Sequence, residues 1–482
     1  MLHLPGHSLH RQGTYSNLSD DFVVLGFPGR EFDDLKATLQ QFSDIGFRHQ
    51  PVNVPGVDSP LSRRHLVYDS REKVCDLLKD LAAADLGLSV TVSGLRDQVA
   101  GCCHSAGISR PHTVCHSLGF WGRTERLPQF GILEITTMCG HGRVSPNLVW
   151  HMAGQVQHHV LEAKEAARKM GKLCLCNIFN EVRAAKLLEG LVTSLEAGTI
   201  SEPQSSGGKG IALQKDSGIT IDEARCINCL ECIPYCPVSA IIESPDLGIV
   251  AIDAERCTEC GLCRQTEICP VEAIVGRDLT WPRTLRGKFQ HLYAPYRSAS
   301  TLAPVPQHVS YNDKVLIVTH HELPSELTND VEGLLRHGDA EVIVELGRPH
   351  LGTTFADVQK VIQTLIPMGL QLGLQYPVLD ERSSLAELAT DASKGILRHD
   401  ILEERAGWVF LKMVVPEKRI PDVFQGIRQV ATEIDTVFAL DLVSRVEKDG
   451  STAADRVASG IGIEPAINCK TNVGLGRPLA DN

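Results

Sequence analysis

The sequence predicts a mixed α/β protein built around a small cysteine-rich module. Three observations carry this expectation. Short apolar runs of strand length alternate with helical apolar periodicity over residues 19–198, the same alternation returns over 313–446, and eight of the sixteen cysteines fall between Cys226 and Cys269. Strands that alternate with helices usually belong to β-α-β units, so the N-terminal domain, 19–198, is expected to be mainly parallel α/β. The C-terminal domain, 313–446, is expected to be α/β (α+β).

Taken in order, residues 1–18 are polar and aperiodic, and read as a loose segment. Strands are then expected at Phe22–Leu25, His65–Tyr68, Leu88–Val92, His112–Leu118, Ile132–Thr137 and Leu173–Cys176. Helices are expected at Asp33–Phe42, Glu72–Ala83, Leu95–Cys103, Pro146–Val160 and Glu181–Leu195. A Ser/Gly/Gln-rich stretch makes 199–217 a linker, and a Pro/Ser/Tyr-rich stretch does the same for 286–312. Beyond it come strand Val315–Thr319, helix Ser325–Leu335, strand Val342–Leu346, helix Thr354–Met368, strand Trp408–Val415, helix Pro421–Ile434 and strand Thr436–Leu442. Thr354-x2-Asp357 has the form of a capping box, so the Gly347–Gly352 loop reads as turn chemistry ahead of a phosphate cradle. Residues 447–482, with the isolated Cys469, read as a tail.

The central cysteines form two runs, Cys226-x2-Cys229-x2-Cys232-x3-Cys236-Pro237 and Cys257-x2-Cys260-x2-Cys263-x5-Cys269-Pro270. Three closely spaced thiolates on a tight loop can wrap one corner of an iron–sulfur cubane, and the fourth ligand must come from elsewhere in the chain. Pro-Val-x-Ala-Ile follows the last cysteine of each run, which makes the segment an internal repeat. Paired zinc sites are the alternative, but they usually need two pairs of ligands and no third cysteine at this spacing. The stretch resembles the two-cluster bacterial-type ferredoxin family, whose pattern the first run matches. That resemblance implies a ferredoxin-type domain over 218–285 with two [4Fe-4S] clusters. One would be held by Cys226, Cys229, Cys232 and Cys269, and the other by Cys257, Cys260, Cys263 and Cys236. The second run departs from the family in its five-residue gap before Cys269, which lengthens one loop.

A second group of reactive side chains lies in the N-terminal domain: Cys102, Cys103 and His104 at a helix end, Cys115 and His116 on a strand, Cys139 and His141 in Met138-Cys139-Gly140-His141-Gly142, then Cys174 and Cys176. Cys139 is expected in a Gly-flexible turn leaving a strand and facing a helix that Ser145 caps and Pro146 opens. There, helix N–H groups would favour the thiolate. Cys139 with His141 is therefore the candidate catalytic pair, as thiolate or metal ligands. Cys115, Cys174 and Cys176 read equally well as small buried hydrophobes, and His158 and His159 as a solvated helix face. The Met-Cys-Gly-His-Gly stretch is also similar to the surroundings of one catalytic cysteine of the proline racemase family, but the second cysteine motif of that family is missing.

A formal charge of −12 with no clustered Lys/Arg run argues against a nucleic-acid binder. No window approaches the roughly 20 apolar residues of a membrane span, and the first residues lack the form of a signal peptide, so a cytoplasmic protein is expected. Sixteen cysteines, half of them in cluster motifs, fit a reducing compartment. The reading that joins these features is an iron–sulfur electron-transfer protein, an oxidoreductase or a subunit of one, working on a small-molecule substrate or with a redox partner protein. A non-catalytic iron–sulfur adaptor or redox sensor, and a thiol-dependent isomerase centred on Cys139, are the alternatives.

Overall fold

A computed structural model describes residues 3–4, 6, 10–27, 33–57, 64–140, 142–174, 176–201, 219–244, 248–253, 256–257, 262–265, 268–276, 329–330, 335–349, 351–370, 389–403 and 405–476. The expected strand Val315–Thr319 and nearly all of the expected helix Ser325–Leu335 lie outside them, as do Cys260 and His141.

The N-terminal strands are β1 (His3–Leu4), β2 (Phe22–Phe27), β3 (His65–Tyr68), β4 (Ser89–Leu95) and β5 (Thr113–Gly122). Four short strands, β6 (Ile219–Ile221), β7 (Ile241–Glu243), β8 (Val250–Ile252) and β9 (Ile274–Gly276), belong to the cysteine-rich module. The C-terminal strands of the main sheet are β10 (Asp339–Leu346), β11 (Val409–Pro416), β12 (Val437–Arg445) and β13 (Asn468–Asn472). N- and C-terminal strands pair into one sheet in the order β11-β10-β12-β5-β13-β4-β2-β3, with β1 also on β5.

The mixed α/β class stands, but every pairing in this sheet is antiparallel where a mainly parallel sheet is expected. Apolar periodicity reports that a segment is a strand, whereas direction depends on which strands become neighbours. Here β5 takes its neighbours from residues more than 300 positions later, Val437–Arg445 and Asn468–Asn472. The supposed tail is thus structural. Asn468–Asn472 is fully buried between β4 and β5, and a short helix, Ala453–Val457, precedes it with a complete Thr452/Asp455 capping box.

Besides Ala453–Val457, the α-helices among the described residues are α1 (Tyr15–Leu18), α2 (Leu35–Arg48), α3 (Arg71–Ala84), α4 (Arg96–Ser105), α5 (Phe130–Thr136), α6 (Pro146–Gln157), α7 (Ala163–Gly171), α8 (Glu181–Glu196), α9 (Leu262–Gln265), α10 (Phe355–Leu365) and α11 (Ile420–Val430). Residues 132–137, expected as a strand, are largely helical in α5, because Ile132, Leu133, Ile135 and Thr136 are all buried and leave no polar face to give a helical period. The described residues of the expected strand Leu173–Cys176 lie in a turn, where Asn177 N–H donates to the Cys174 carbonyl at 2.8 Å. The helix at Pro146 ends at Gln157, so His158 and His159 lie exposed beyond it.

Val342, Val344, Leu346, Leu440 and Leu442 pack one face of the sheet against α10 and α11 through Val358, Ile362, Phe424 and Ile427. Helices α2–α4 cover β2–β4, using Phe42, Leu77, Leu78 and Val99, and a Cys75–Cys102 disulfide joins α3 to α4. Helices α5–α8 form a separate core with Met138, Cys139, Cys174, Cys176 and Phe179. Thr354 caps α10 by accepting from Asp357 N–H at 3.3 Å, one half of the expected capping box, while the Asp357 carboxylate accepts from Asp435 N–H at 3.0 Å and Lys360 Nζ at 3.1 Å; Gly347 takes a left-handed φ of 85° where a Cβ would meet the Gly407 carbonyl.

Candidate iron–sulfur site and its docking to the sheet domain

The cysteine-rich module is a structural repeat. Strand β6 pairs with β9 and β7 with β8, both antiparallel, so the first and last strands close around the middle pair. Each half starts alike: Asp222 N–H donates to the Ala273 carbonyl at 2.7 Å, and Asp253 N–H to the Ala240 carbonyl at 2.8 Å. Cys226 N–H then donates to the Asp222 carbonyl at 3.0 Å, and Cys257 N–H to the Asp253 carbonyl at 2.9 Å. Arg225 pairs with Asp222 at 3.3 Å and Arg256 with Asp253 at 3.2 Å. The Asp-x2-Arg-Cys signal was present in the sequence, repeated ahead of each Cys-Pro pair.

The cysteine that ends each run sits in an identical turn. Ser239 and Glu272 both take φ of 52°, which lets Ala240 N–H donate to Cys236 Sγ at 3.1 Å and Ala273 N–H to Cys269 Sγ at 3.1 Å. A sulfur that accepts a backbone N–H at this range is suited to thiolate charge. Cys226, Cys229, Cys232 and Cys269 line one cavity, walled by Ile221, Leu230, Ile268 and Ile274. Cys236, Cys257 and Cys263 belong to the module core with Ile241, Val250 and Ile252. Burial, with the thiols of Cys229, Cys269 and Cys226 close by, pushes the Cys232 thiol up to about 12. Such a pocket disfavours thiolates on their own and accepts them once cationic iron is bound, so the donor set fits an iron–sulfur cluster.

The module docks on α6. Ser145 accepts from Leu148 N–H at 3.0 Å as the helix cap, and its hydroxyl also donates to the Pro234 carbonyl. Asn147 Nδ2 donates to Ser239 Oγ at 3.0 Å, and Tyr235 packs against the core of α5–α8. Pro234, Tyr235 and Ser239 flank Cys236. Elsewhere in the module, Cys229 is exposed and Ile227 is 62% exposed.

Cys139 lies in the same core, just before the docked cap. It follows a helix instead of the expected strand, and it is 2% exposed. The structure brings it to Cys174, whose thiol is raised well above its ordinary value, first by a hydrogen bond with Cys139 and then by burial. Arg11 lies within electrostatic reach of both thiols; its guanidinium pairs with Asp21 at 3.2 Å and donates to the Ile178 carbonyl. Cys102 is in the disulfide, and burial raises the Cys103 thiol to about 12.

Residues 218–274 match the 4Fe-4S dicluster domain family. The middle of this chain belongs to that family. Pyruvate synthase subunit PorD of Methanothermobacter marburgensis is 33% identical over 76 residues, 16% of this chain and 85% of that protein. Ferredoxin-1 of Rhodobacter capsulatus is 45% identical over 40 residues, 8% of this chain and 58% of that ferredoxin. No solved structure matches. The dicluster domain is accordingly an iron–sulfur electron-transfer module carrying [4Fe-4S] chemistry. No helix among the described residues is long and apolar enough to cross a membrane.

Proposed function

We propose that the chain is an oxidoreductase, or an oxidoreductase subunit, with two [4Fe-4S] clusters serving a thiol centre in the sheet domain. Cys226, Cys229, Cys232 and Cys269 would hold the outer cluster, and Cys257, Cys260, Cys263 and Cys236 the inner one. When bound, each supplies one-electron transfer. The observation that carries the reading is polarity of placement. Exposed Cys229 and Ile227 offer the outer end to a redox partner protein, whereas the residues around Cys236 are fastened to the α6 cap beside Cys139. PorD is a subunit of a pyruvate synthase, which supports an electron-transfer unit working within a larger oxidoreductase.

In the sheet domain, Cys139 and Cys174 are the reacting groups. Closing a disulfide between them releases two electrons and two protons, and reopening it takes both back. Arg11 stabilises whichever thiolate forms first. His141, next but one to Cys139, is the candidate proton acceptor.

Anaerobic reductive titration of the oxidised full chain tests this. Two clusters, the Cys75–Cys102 disulfide and a Cys139–Cys174 disulfide should consume about six electrons per chain, and Cys139→Ser about four, with cluster absorbance unchanged. Equal electron uptake by both proteins would overturn the thiol centre and favour the adaptor.

A further inference from the structure

The polar face of the central strands holds a second constellation that neither the dicluster module nor the Cys139 pair uses. Cys115 on β5, Asp441 on β12 and Lys470 on β13 come together there, since Ser117 pairs with Asp441 and Cys115 with Lys470 across the ladder. His10, from the segment before α1, is laid over them: its Nε2 is 3.5 Å from Cys115 Sγ and 3.2 Å from Asp441 Oδ1. The three donor atoms all lie within 4.8 Å of one another, and the residues are 5%, 0% and 0% exposed. The Asp441 carboxylate is buried among His10, Ser117 and Glu345, and Glu345 Oε1 finds no hydrogen-bond donor among the described residues.

We propose that His10 Nε2, Cys115 Sγ and Asp441 bind one zinc ion. With Zn–S of about 2.3 Å and Zn–N and Zn–O of about 2.0–2.2 Å, tetrahedral geometry separates sulfur from nitrogen by about 3.6 Å and nitrogen from oxygen by about 3.4 Å. The 3.5 and 3.2 Å seen here are those edges within the tolerance of such sites. Mixed imidazole, thiolate and carboxylate donors suit zinc, and the fourth position falls to an oxygen, from Glu345 or water.

Binding displaces the Cys115 thiol proton to solvent and forms the Zn–S bond, with an Asp441 oxygen as a further ligand. Arg348 closes the wall: it pairs with Glu345 at 2.6 Å and lies over the Trp408 and Phe410 rings at 5.7 Å each.

Metal analysis and zinc K-edge absorption spectroscopy on the anaerobically isolated full chain test this. About one zinc per chain is expected beside the iron, with one sulfur at about 2.3 Å and lighter N/O ligands at about 2.0–2.2 Å. Asp441→Asn and Cys115→Ser should each lose at least ten-fold in zinc while iron and sulfide stay unchanged. A chain isolated without zinc, a four-sulfur shell marking zinc in a cluster position, or zinc retained in both variants would each overturn the proposal. The spectrum of the unaltered protein decides the matter even where a variant fails to fold.

Discussion

Removing one hydroxyl should loosen the iron–sulfur module from the sheet domain. Ser145 Oγ does two things at once: it caps α6 through Leu148 N–H at 3.0 Å and donates to the Pro234 carbonyl. Losing an N-cap costs about 1 kcal/mol. Losing the second bond leaves a carbonyl in a part-buried contact without its partner, a further cost of about 1–3 kcal/mol. Ser145→Ala should therefore destabilise the cluster-loaded protein by about 2–4 kcal/mol. Asn147→Ala removes only the 3.0 Å bond to Ser239 and spares the cap, so about 0.5–1.5 kcal/mol is expected. Ser145→Thr keeps the hydroxyl and should recover most of the loss. Urea unfolding gives the totals, and hydrogen exchange localises them: protection should fall both in the first turn of α6 and in the turn around Cys236. A Ser145→Ala loss below about 0.5 kcal/mol, or exchange that rises in α6 alone, would refute the double role.

Cys269→Ala should lower iron from about eight to about four atoms per chain and remove one of two cluster signals in electron paramagnetic resonance; unchanged iron would exclude Cys269 as a ligand. Asp21→Asn leaves Arg11 and Arg183 buried without the carboxylate they approach at 3.2 and 2.9 Å, a destabilisation of about 3–5 kcal/mol by denaturant unfolding, and a loss under about 1 kcal/mol would contradict the network. Burial holds His65 down to about 3, so below pH of about 6.5 only the unfolded chain takes up its proton. That contribution is present above about 6.5 and is lost as pH falls towards about 3, with a slope of about 1.4 kcal/mol per pH unit. His65→Gln should flatten the stability–pH curve by that slope between about pH 6 and 4.5, and an unchanged slope would place the acid sensitivity elsewhere.

The iron–sulfur module was legible because its chemistry is local. Cysteine spacing and the Cys-Pro-Val-x-Ala repeat lie within sixty residues, and the paired Ala N–H to Sγ bonds at 3.1 Å are consequences of that repeat. The Ser145–Pro146 helix start was legible for the same reason, since a cap acts over three residues. Periodicity failed where burial was complete, as in α5 and at Cys174. The sequence by itself determined that this chain carries strands, helices and a two-run cysteine module. Only the tertiary structure decided that Val437–Arg445 and Asn468–Asn472 enter beside Thr113–Gly122, that all neighbours run antiparallel, that Cys139 meets Cys174, and that His10 is laid against Cys115 and Asp441. Those outcomes rest on contacts tens to hundreds of residues apart, such as Cys139 with Cys174 and His10 with Asp441. They are chosen by the burial of whole faces, which no window of local sequence encodes.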